Sequence, residues 1–453
     1  MKSRVQWYVS GAARMITRAA GNHLLWPSGL TCLSLALAGC AGGLTAIEHP
    51  ESAQARVQNT RYTIQDLGVV GANPNQPGQP LVVSNSGWIG GAAGVGAAEH
   101  AVLWYRGNMI DIGNPGLGGN SMGYGVNESG MAAGEAETTA AGLSTTEDFC
   151  GFQALGFSSS PTPCVPFVWT GTRMLPLQTL GGVNGVANEI NNSGMIAGYA
   201  ENTTLDPGCS APQKYEFKPV VWSHTGAIQQ LPTGNNAEGV AFSINDSGQA
   251  VGASGDCAPF NPLWLFNLVP AHALLWNGGV PTDLGNLGGA FNNLAHHINN
   301  LGQVVGGSDL AGDQTSHAFL WTPETKIQDL GTINDAVDDD TFSFGLGIND
   351  AGQIVGVSAS ADFSVVRAFI RQSGTLIDLN TLVTGSNALY LISACSINSK
   401  GEIIGIALDP NTGETHGYLA TPAPGAAASE SIARNSMTLP GWVRARFRSM
   451  IRN

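Results

Sequence analysis

One short phrase recurs seven times in this chain and constrains its fold more than any other feature. It reads Val83-Ser84-Asn85-Ser86-Gly87, Val126-Asn127-Glu128-Ser129-Gly130, Ile190-Asn191-Asn192-Ser193-Gly194 and Ile244-Asn245-Asp246-Ser247-Gly248. It returns as Ile298-Asn299-Asn300-Leu301-Gly302, Ile348-Asn349-Asp350-Ala351-Gly352 and Ile397-Asn398-Ser399-Lys400-Gly401. Asn and Asp favour turns through hydrogen bonds from side chain to local backbone, and Gly takes the positive φ that closes a tight hairpin. The flanks are β-branched or small and apolar, as buried strands require. Each phrase is therefore a β-hairpin, and hairpins spaced 43 to 64 residues apart mark a repeat array.

Two further phrases follow each hairpin. The second reads His100-Ala101-Val102-Leu103-Trp104, Pro166-Phe167-Val168-Trp169, Pro219-Val220-Val221-Trp222, His272-Ala273-Leu274-Leu275-Trp276 and His317-Ala318-Phe319-Leu320-Trp321, and degenerates at Arg367-Ala368-Phe369 and His416-Gly417-Tyr418. The third reads Ile110-Asp111-Ile112-Gly113, Thr282-Asp283-Leu284-Gly285 or Ile327-Gln328-Asp329-Leu330-Gly331. A unit is thus four short strands in about 50 residues, the size of a propeller blade. Composition agrees: 61 glycines and only 11% charged residues suit short strands and tight turns better than helices. The chain opens on the third phrase alone, Tyr62-Thr63-Ile64-Gln65-Asp66-Leu67-Gly68, and the repeats finish on the second alone, His416 to Ala420. An N-terminal strand that completes the last blade closes a ring and leaves no open edge. The expected fold is all-β, a seven-bladed β-propeller closed in this way; a β-solenoid would need distinct polar caps, and the sequence has none.

These phrases resemble the HAF-repeat family of bacterial extracellular proteins, named for His-Ala-Phe as at His317-Ala318-Phe319, over residues 61–420. The resemblance implies a repeat architecture and an extracellular location. It implies no reaction and no catalytic residues.

Residues 1–39 carry Lys2, Arg4, Arg14 and Arg18 and no acid, followed within the segment by the apolar run Leu30 to Ala38. That run is too short to span a bilayer and suits a signal peptide. It ends Leu37-Ala38-Gly39-Cys40, which resembles the lipobox of bacterial lipoproteins and makes Cys40 the expected lipid attachment site. Ala41 and Gly42 follow in place of Asp, a pattern that implies the outer membrane in such lipoproteins. The alternative is simple cleavage and secretion. The expected organisation is a signal peptide over 1–39, a linker over 40–60, the propeller over 61–420 and a tail over 421–453. Both ends are basic while the whole carries −14, so the body is strongly acidic. Nucleic acid, whose binders need a basic footprint, is excluded as a partner.

Blade topology puts the Asn-x-x-Gly turns on one face. The other face receives the long insertions at 137–165, 201–218, 255–271 and 332–344. Scaffolds place binding residues on such variable loops. Those insertions hold four cysteines, expected to pair as Cys150–Cys164 and Cys209–Cys257 because export permits disulfides; Cys395, in an apolar strand, is expected free and buried. They also hold aromatic residues, and Trp264, Phe266, Phe260, Tyr215, Phe217 and Phe152 are the candidate ligand platform, set against the alternative that each packs a local core. Asp335, Asp338, Asp339 and Asp340 cluster in one loop; Ca²⁺ is the one cofactor they suggest, although EF-hand spacing is missing and a solvated acidic turn is the plainer reading. No cofactor is otherwise expected. His296 and His297 are expected to face opposite sides of their strand, and the repeating His-Ala-Phe histidines to be structural. In the tail, Val443, Phe447, Met450 and Ile451 share one helical face and Arg444, Arg448 and Arg452 another, which suits a membrane surface or docking on the acidic body. No hydrolase elbow, zinc-protease or phosphate-loop motif is present. The expected function is an envelope or extracellular binding module for a glycan or protein, with a secreted glycan-cleaving enzyme or a purely structural component as alternatives.

Overall fold

The computed structural model describes residues 60–68, 79–95, 98–113, 119–138, 163–209, 213–257, 268, 271–333, 340–385, 389–423, 439 and 441. Within them the chain builds seven four-stranded antiparallel sheets, each from one repeat. Blades 1 to 6 take their strands in sequence order, for example Gly185–Ile190, Ile196–Leu205, Tyr215–Trp222 and Ile228–Gln230 in blade 3. Blade 7 joins Tyr390–Ile397, Ile403–Leu408 and Thr415–Pro422 to the N-terminal strand Tyr62–Gly68 as its outer strand. Tyr62 pairs with Pro422 and Asp66 with Tyr418, so the first strand closes the ring as the repeat phasing requires. The fold is a seven-bladed β-propeller. First strands of successive blades touch one another all the way round, blade 7 meeting blade 1, and so line the axis. Outer strands such as Asn108–Asp111 and Val280–Asp283 are exposed throughout.

The recurring phrases acquire distinct jobs. Each Asn folds its own turn: Asn191 Oδ1 accepts from the N–H of Ser193 at 3.1 Å and of Met195 at 2.9 Å. Its amide then reaches the next blade. Asn127 Nδ2 donates to Asn191 O, Asn191 to Asn245 O, Asn245 to Asn299 O, Asn299 to Asn349 O, Asn349 to Asn398 O, and Asn398 to Ser84 O, at 2.8 to 3.1 Å. A belt of buried hydrogen bonds therefore encircles the axis, and only blade 1, with Ser84, lacks the donor. Because these amides are buried, each bond also avoids the cost of an unpaired polar group.

Every first strand carries a register irregularity just before its turn, as between Ala187 and Glu189 or Ala295 and His297. Bulges of this kind bend a strand and sharpen its twist. The bulge explains the Gly that stands third in every second strand, as in Ile196-Ala197-Gly198: a Cβ on Gly198 would lie 2.0 Å from Val186 O and 2.7 Å from the Trp222 ring. The aromatic ending the second phrase fills the space between blades, where Trp222 and Trp276 are almost fully buried. Their indole N–H groups donate to Gln178 O and Pro232 O of the preceding blade's outer connection, at 2.8 and 2.7 Å.

The histidines of the second phrase are structural, and their partner is the Asp of the third. His100 meets Asp111 at 3.0 Å, His272 meets Asp283 at 3.3 Å and His317 meets Asp329 at 2.9 Å, each across the two outer strands of one blade. In blade 7 the partner comes from the other end of the chain, His416 meeting Asp66 at 3.0 Å. The ring closure thus repeats the pairing used inside the other blades.

Two expectations need correction here. The segment 201–218 is not mainly a loop: Ile196–Leu205 and Tyr215–Trp222 extend into it as a hairpin arm. Phe217 lies in that arm, 3% exposed and packed edge-on to Tyr199 at 5.7 Å, so it belongs to the core and not to a ligand platform. Asp340 begins the first strand of blade 6 and is buried. Its carboxylate pairs with Arg367 Nη2 at 2.9 Å and accepts from Ser358 Oγ at 2.7 Å, so it faces a cation already present and leaves the proposed Ca²⁺ set.

Candidate functional site

Strand direction separates the two ends of the ring. The face opposite the Asn turns receives the loops between second and third strands and the connections between blades, and it is built irregularly. Between blades 5 and 6 it holds a cavity of about 440 Å³, lined by Phe291, Asn292, Asp309, Asp313, Gln314 and Phe363 among others. The first strand of blade 5, Gly288–Ile298, brings Phe291 and Asn292; the loop after Val304–Leu310 brings Asp313 and Gln314. Phe291 is 49% exposed, a large ring left open to solvent beside polar groups.

The two acids hold this wall in shape. Asp313 sits at φ +54°, and its carboxylate accepts from the backbone N–H of Ala290 at 2.6 Å and of Phe291 at 3.3 Å. Asp309 accepts from Asn292 N at 3.0 Å and from the Ser316 hydroxyl. Burial pushes the Asp309 carboxyl above its usual range and the charge of Asp313 adds to this, against the pull of the Ser316 and Asn292 hydrogen bonds. A rigid aromatic edge beside oriented amide and carboxylate groups is what a polar ligand with one apolar side needs.

Between blades 3 and 4 the same face carries the disulfide Cys209–Cys257, with Cα atoms 5.0 Å apart, as the sequence led us to expect. It ties the arm of blade 3 to the loop of blade 4. Asp206 and Glu238 stand beside it, all four groups offering atoms within 4.8 Å of one another. In the disulfide the sulfurs are not thiolates, so the cluster as it stands is a staple with two carboxyl groups and not a metal centre. Burial raises the Glu238 pKa to about 8, with Asp206 contributing, although Phe217 N donates to it at 2.6 Å. Cys164 is also disulfide-bonded; its expected partner Cys150 lies outside the described residues. Cys395 is free but half-buried, and burial pushes its thiol up to about 11.

Of the expected platform, Tyr215 is described and half-buried in the arm, pairing with Leu205. Phe152, Phe260, Trp264 and Phe266 lie outside the described residues, as do Cys40, Asp335, Asp338, Asp339 and residues 442–453. The structure therefore brings together a set the sequence reading did not single out: Phe291, Asp309, Asp313 and Gln314.

The opposite face is regular, with one exception on the axis. A recess of about 120 Å³ is ringed by the seven turns. The residue just before each turn phrase is Val82, Gly125, Ser243, Gly347 or Ser396 in five blades, but Glu189 in blade 3 and His297 in blade 5. Glu189 Oε1 meets His297 Nε2 at 3.4 Å, and Ile244 N donates to Glu189 Oε2 at 3.2 Å. Burial opposes both charges, yet each group holds the other ionised: the Glu189 carboxyl is lowered by His297, and the His297 pKa is raised by Glu189 with help from Asp350. His296 also reaches outward from its strand, stacking on Phe242 at 5.7 Å and bonding Leu346 O at 2.9 Å. Burial lowers its pKa to about 4. The bulge at this point lets both histidines contact other blades, contrary to the expectation of opposite sides.

No family model and no curated protein matches the chain. Among solved structures it is similar to the β-propeller domain of the Trilobed protease from Pyrococcus furiosus, at 6% identity over 83% of this chain and 99% of that one, with a TM-score of 0.44. Porphyromonas gingivalis dipeptidyl peptidase 4 aligns at 11% identity over 74% of this chain and 51% of that one, with a TM-score of 0.36. TolB from Acinetobacter baumannii aligns at 10% identity over 74% and 79%, with a TM-score of 0.35. Likenesses at this level concern architecture and not chemistry.

Proposed function

We propose that this chain is an exported, HAF-type repeat protein of the bacterial envelope that binds a glycan or protein ligand on its insert-bearing face. The observation that carries the reading is the cavity between blades 5 and 6, where the exposed Phe291 ring stands beside Asp313 and Gln314. Sugars present an apolar face and a polar rim, and a ring flanked by oriented acceptors and an amide addresses both. Glycan cleavage is the second reading, because Asp309 and Asp313 share the cavity and the Asp309 carboxyl is raised by burial. Retention without cleavage is favoured because both carboxylates are already committed to the backbone and hydroxyl donors that shape the wall. In the same reading Cys40 carries the lipid that holds the propeller at the envelope.

The test is an array of glycans and cell-wall polymers, scored for both retention and released product with the wild-type chain and Phe291→Ala. Retention that falls at least tenfold in the variant supports a binding site in this cavity. Released product that disappears in Asp309→Asn would establish the enzyme reading instead. Equal retention by wild type and variant would remove the cavity from the account.

A further inference from the structure

The chain returns to this same cavity after the propeller is complete. Leu439 is 1% exposed, and its N–H donates to Ser364 O at 2.8 Å, in the loop between the second and third strands of blade 6. It packs in one apolar cluster with Phe342, Phe363 and Tyr390. Phe342 and Phe363 also line the cavity between blades 5 and 6, together with Ala361 of the same loop. One pair of aromatic residues therefore serves both the anchor of the tail and the wall of the candidate site.

The residues beyond the anchor have the chemistry that the cavity lacks. Trp442-Val443-Arg444-Ala445-Arg446-Phe447-Arg448 alternates apolar side chains with arginines, and Arg452 follows; residues 440–453 contain no acid. The cavity offers Asp313, Asp309 and the open Phe291 ring, and no basic side chain is among its lining residues. Arg recognises this combination better than Lys, because its planar guanidinium stacks on an aromatic face while pairing with a carboxylate. Reach is no obstacle: five residues from Leu439 to Arg444 span up to about 17 Å when extended. A tether this short holds the segment at a roughly millimolar effective concentration, so a weak contact suffices.

We infer that the cavity between blades 5 and 6 is occupied, in the absence of an external ligand, by the chain's own basic segment 442–453. The inference rests on the ligand-binding reading of that cavity and adds its regulation. The tail is a tethered competitor, which a ligand must displace and which high salt loosens because the contact depends on charge.

Trypsin tests this in the intact chain, because it cuts after Arg444, Arg446, Arg448 and Arg452 and the fragments are separable by mass. Cleavage in the wild type is expected to be at least tenfold slower than in Phe291→Ala or Asp313→Asn, and to accelerate in about 0.5 M salt. Asp313 also braces its loop, so Phe291→Ala is the independent variant. A free peptide of residues 440–453 sets the unprotected rate. Wild-type cleavage at that rate would overturn the inference, as would protection that both variants retain. Protection appearing only with anionic phospholipid vesicles and indifferent to both variants would place the tail on a membrane and overturn it equally. Failure here is distinguishable from failure of the binding reading: an unprotected tail beside Phe291-dependent retention leaves the ligand site standing, and a protected tail with no retained polymer leaves only the tail contact.

Discussion

The two faces of the ring differ in how regularly they use polar residues. On the turn face polar groups recur. Six of the seven blades contribute the same Asn, and each passes a hydrogen bond to the next. On the insert face recurrence is partial, as in a brace at the start of first strands, where Glu137, Glu201 and Asp309 accept from Asn120, Asn184 and Asn292 in blades 2, 3 and 5. Asp313, Gln314 and the exposed Phe291 belong to blade 5, and the cavity they line lies between blades 5 and 6. A repeated residue answers a need that every blade has, which is folding and closure. A residue that occurs once answers a need that the molecule has once. The same rule marks Glu189 and His297 as departures within the otherwise regular axis, although there the two groups satisfy each other.

The sharpest way to break the comparison is to crowd the regular part. Gly198→Ala puts a Cβ 2.0 Å from Val186 O and against Trp222, and should cost about 3 kcal/mol in stability by denaturant unfolding, the upper range for overpacking. Next, Asn245→Ala removes both a turn acceptor and the donor to Asn299 O. It should cost about 2 kcal/mol, mainly the buried bond to Asn299 O and the two turn N–H groups left without their acceptor, while leaving ligand retention unchanged. On the other face the pattern inverts. Phe291→Ala should change stability by less than about 0.5 kcal/mol, as exposed positions do, yet weaken retention about tenfold, or ~1.4 kcal/mol.

The smallest effect is one of pH, at Glu238. Its folded pKa of about 8 lies above the unfolded value of 4.5, so the folded chain keeps a proton there that the unfolded chain releases. Stability from this group is complete below pH 4.5 and falls as pH rises toward 8. Glu238→Gln keeps the neutral form, and melting curves should show it gaining on the order of 1 kcal/mol over wild type above pH 8 and nothing below pH 4.5. Equal gains at both ends would mean that the carboxyl is not the titrating group.

Much of the ring was legible because its devices are local. An Asn that bonds its own turn, and a Gly at positive φ, are set within five residues, as at Asn191 to Met195. Closure was legible because Tyr62 to Gly68 reads as the third phrase without the first and second phrases ahead of it. The partner of the His-Ala-Phe histidines went unread, yet the signal was present. Blades 1, 4 and 5 have both the His and the Asp, whereas blades 2 and 3 carry Val165 and Lys218 in place of the His and Pro176 and Gln230 in place of the Asp. The candidate site was harder. Aromatic content singled out Phe217, which the arm's pairing turns into the core, while Phe291 sits in a Gly-rich connection that looks like simple linkage. The acidic loop around Asp340 misled in a related way, because its partner Arg367 stands where other blades carry His. Contacts between blades depend on ring geometry, and no local pattern announces them.

The most direct test is a paired titration of a polymer that the array shows to be retained, against Phe291→Ala on the insert face and Asn245→Ala on the turn face. The account predicts about a tenfold loss of affinity in Phe291→Ala and wild-type affinity in Asn245→Ala. Full affinity in Phe291→Ala with a loss confined to Asn245→Ala would place the ligand on the regular face and contradict it.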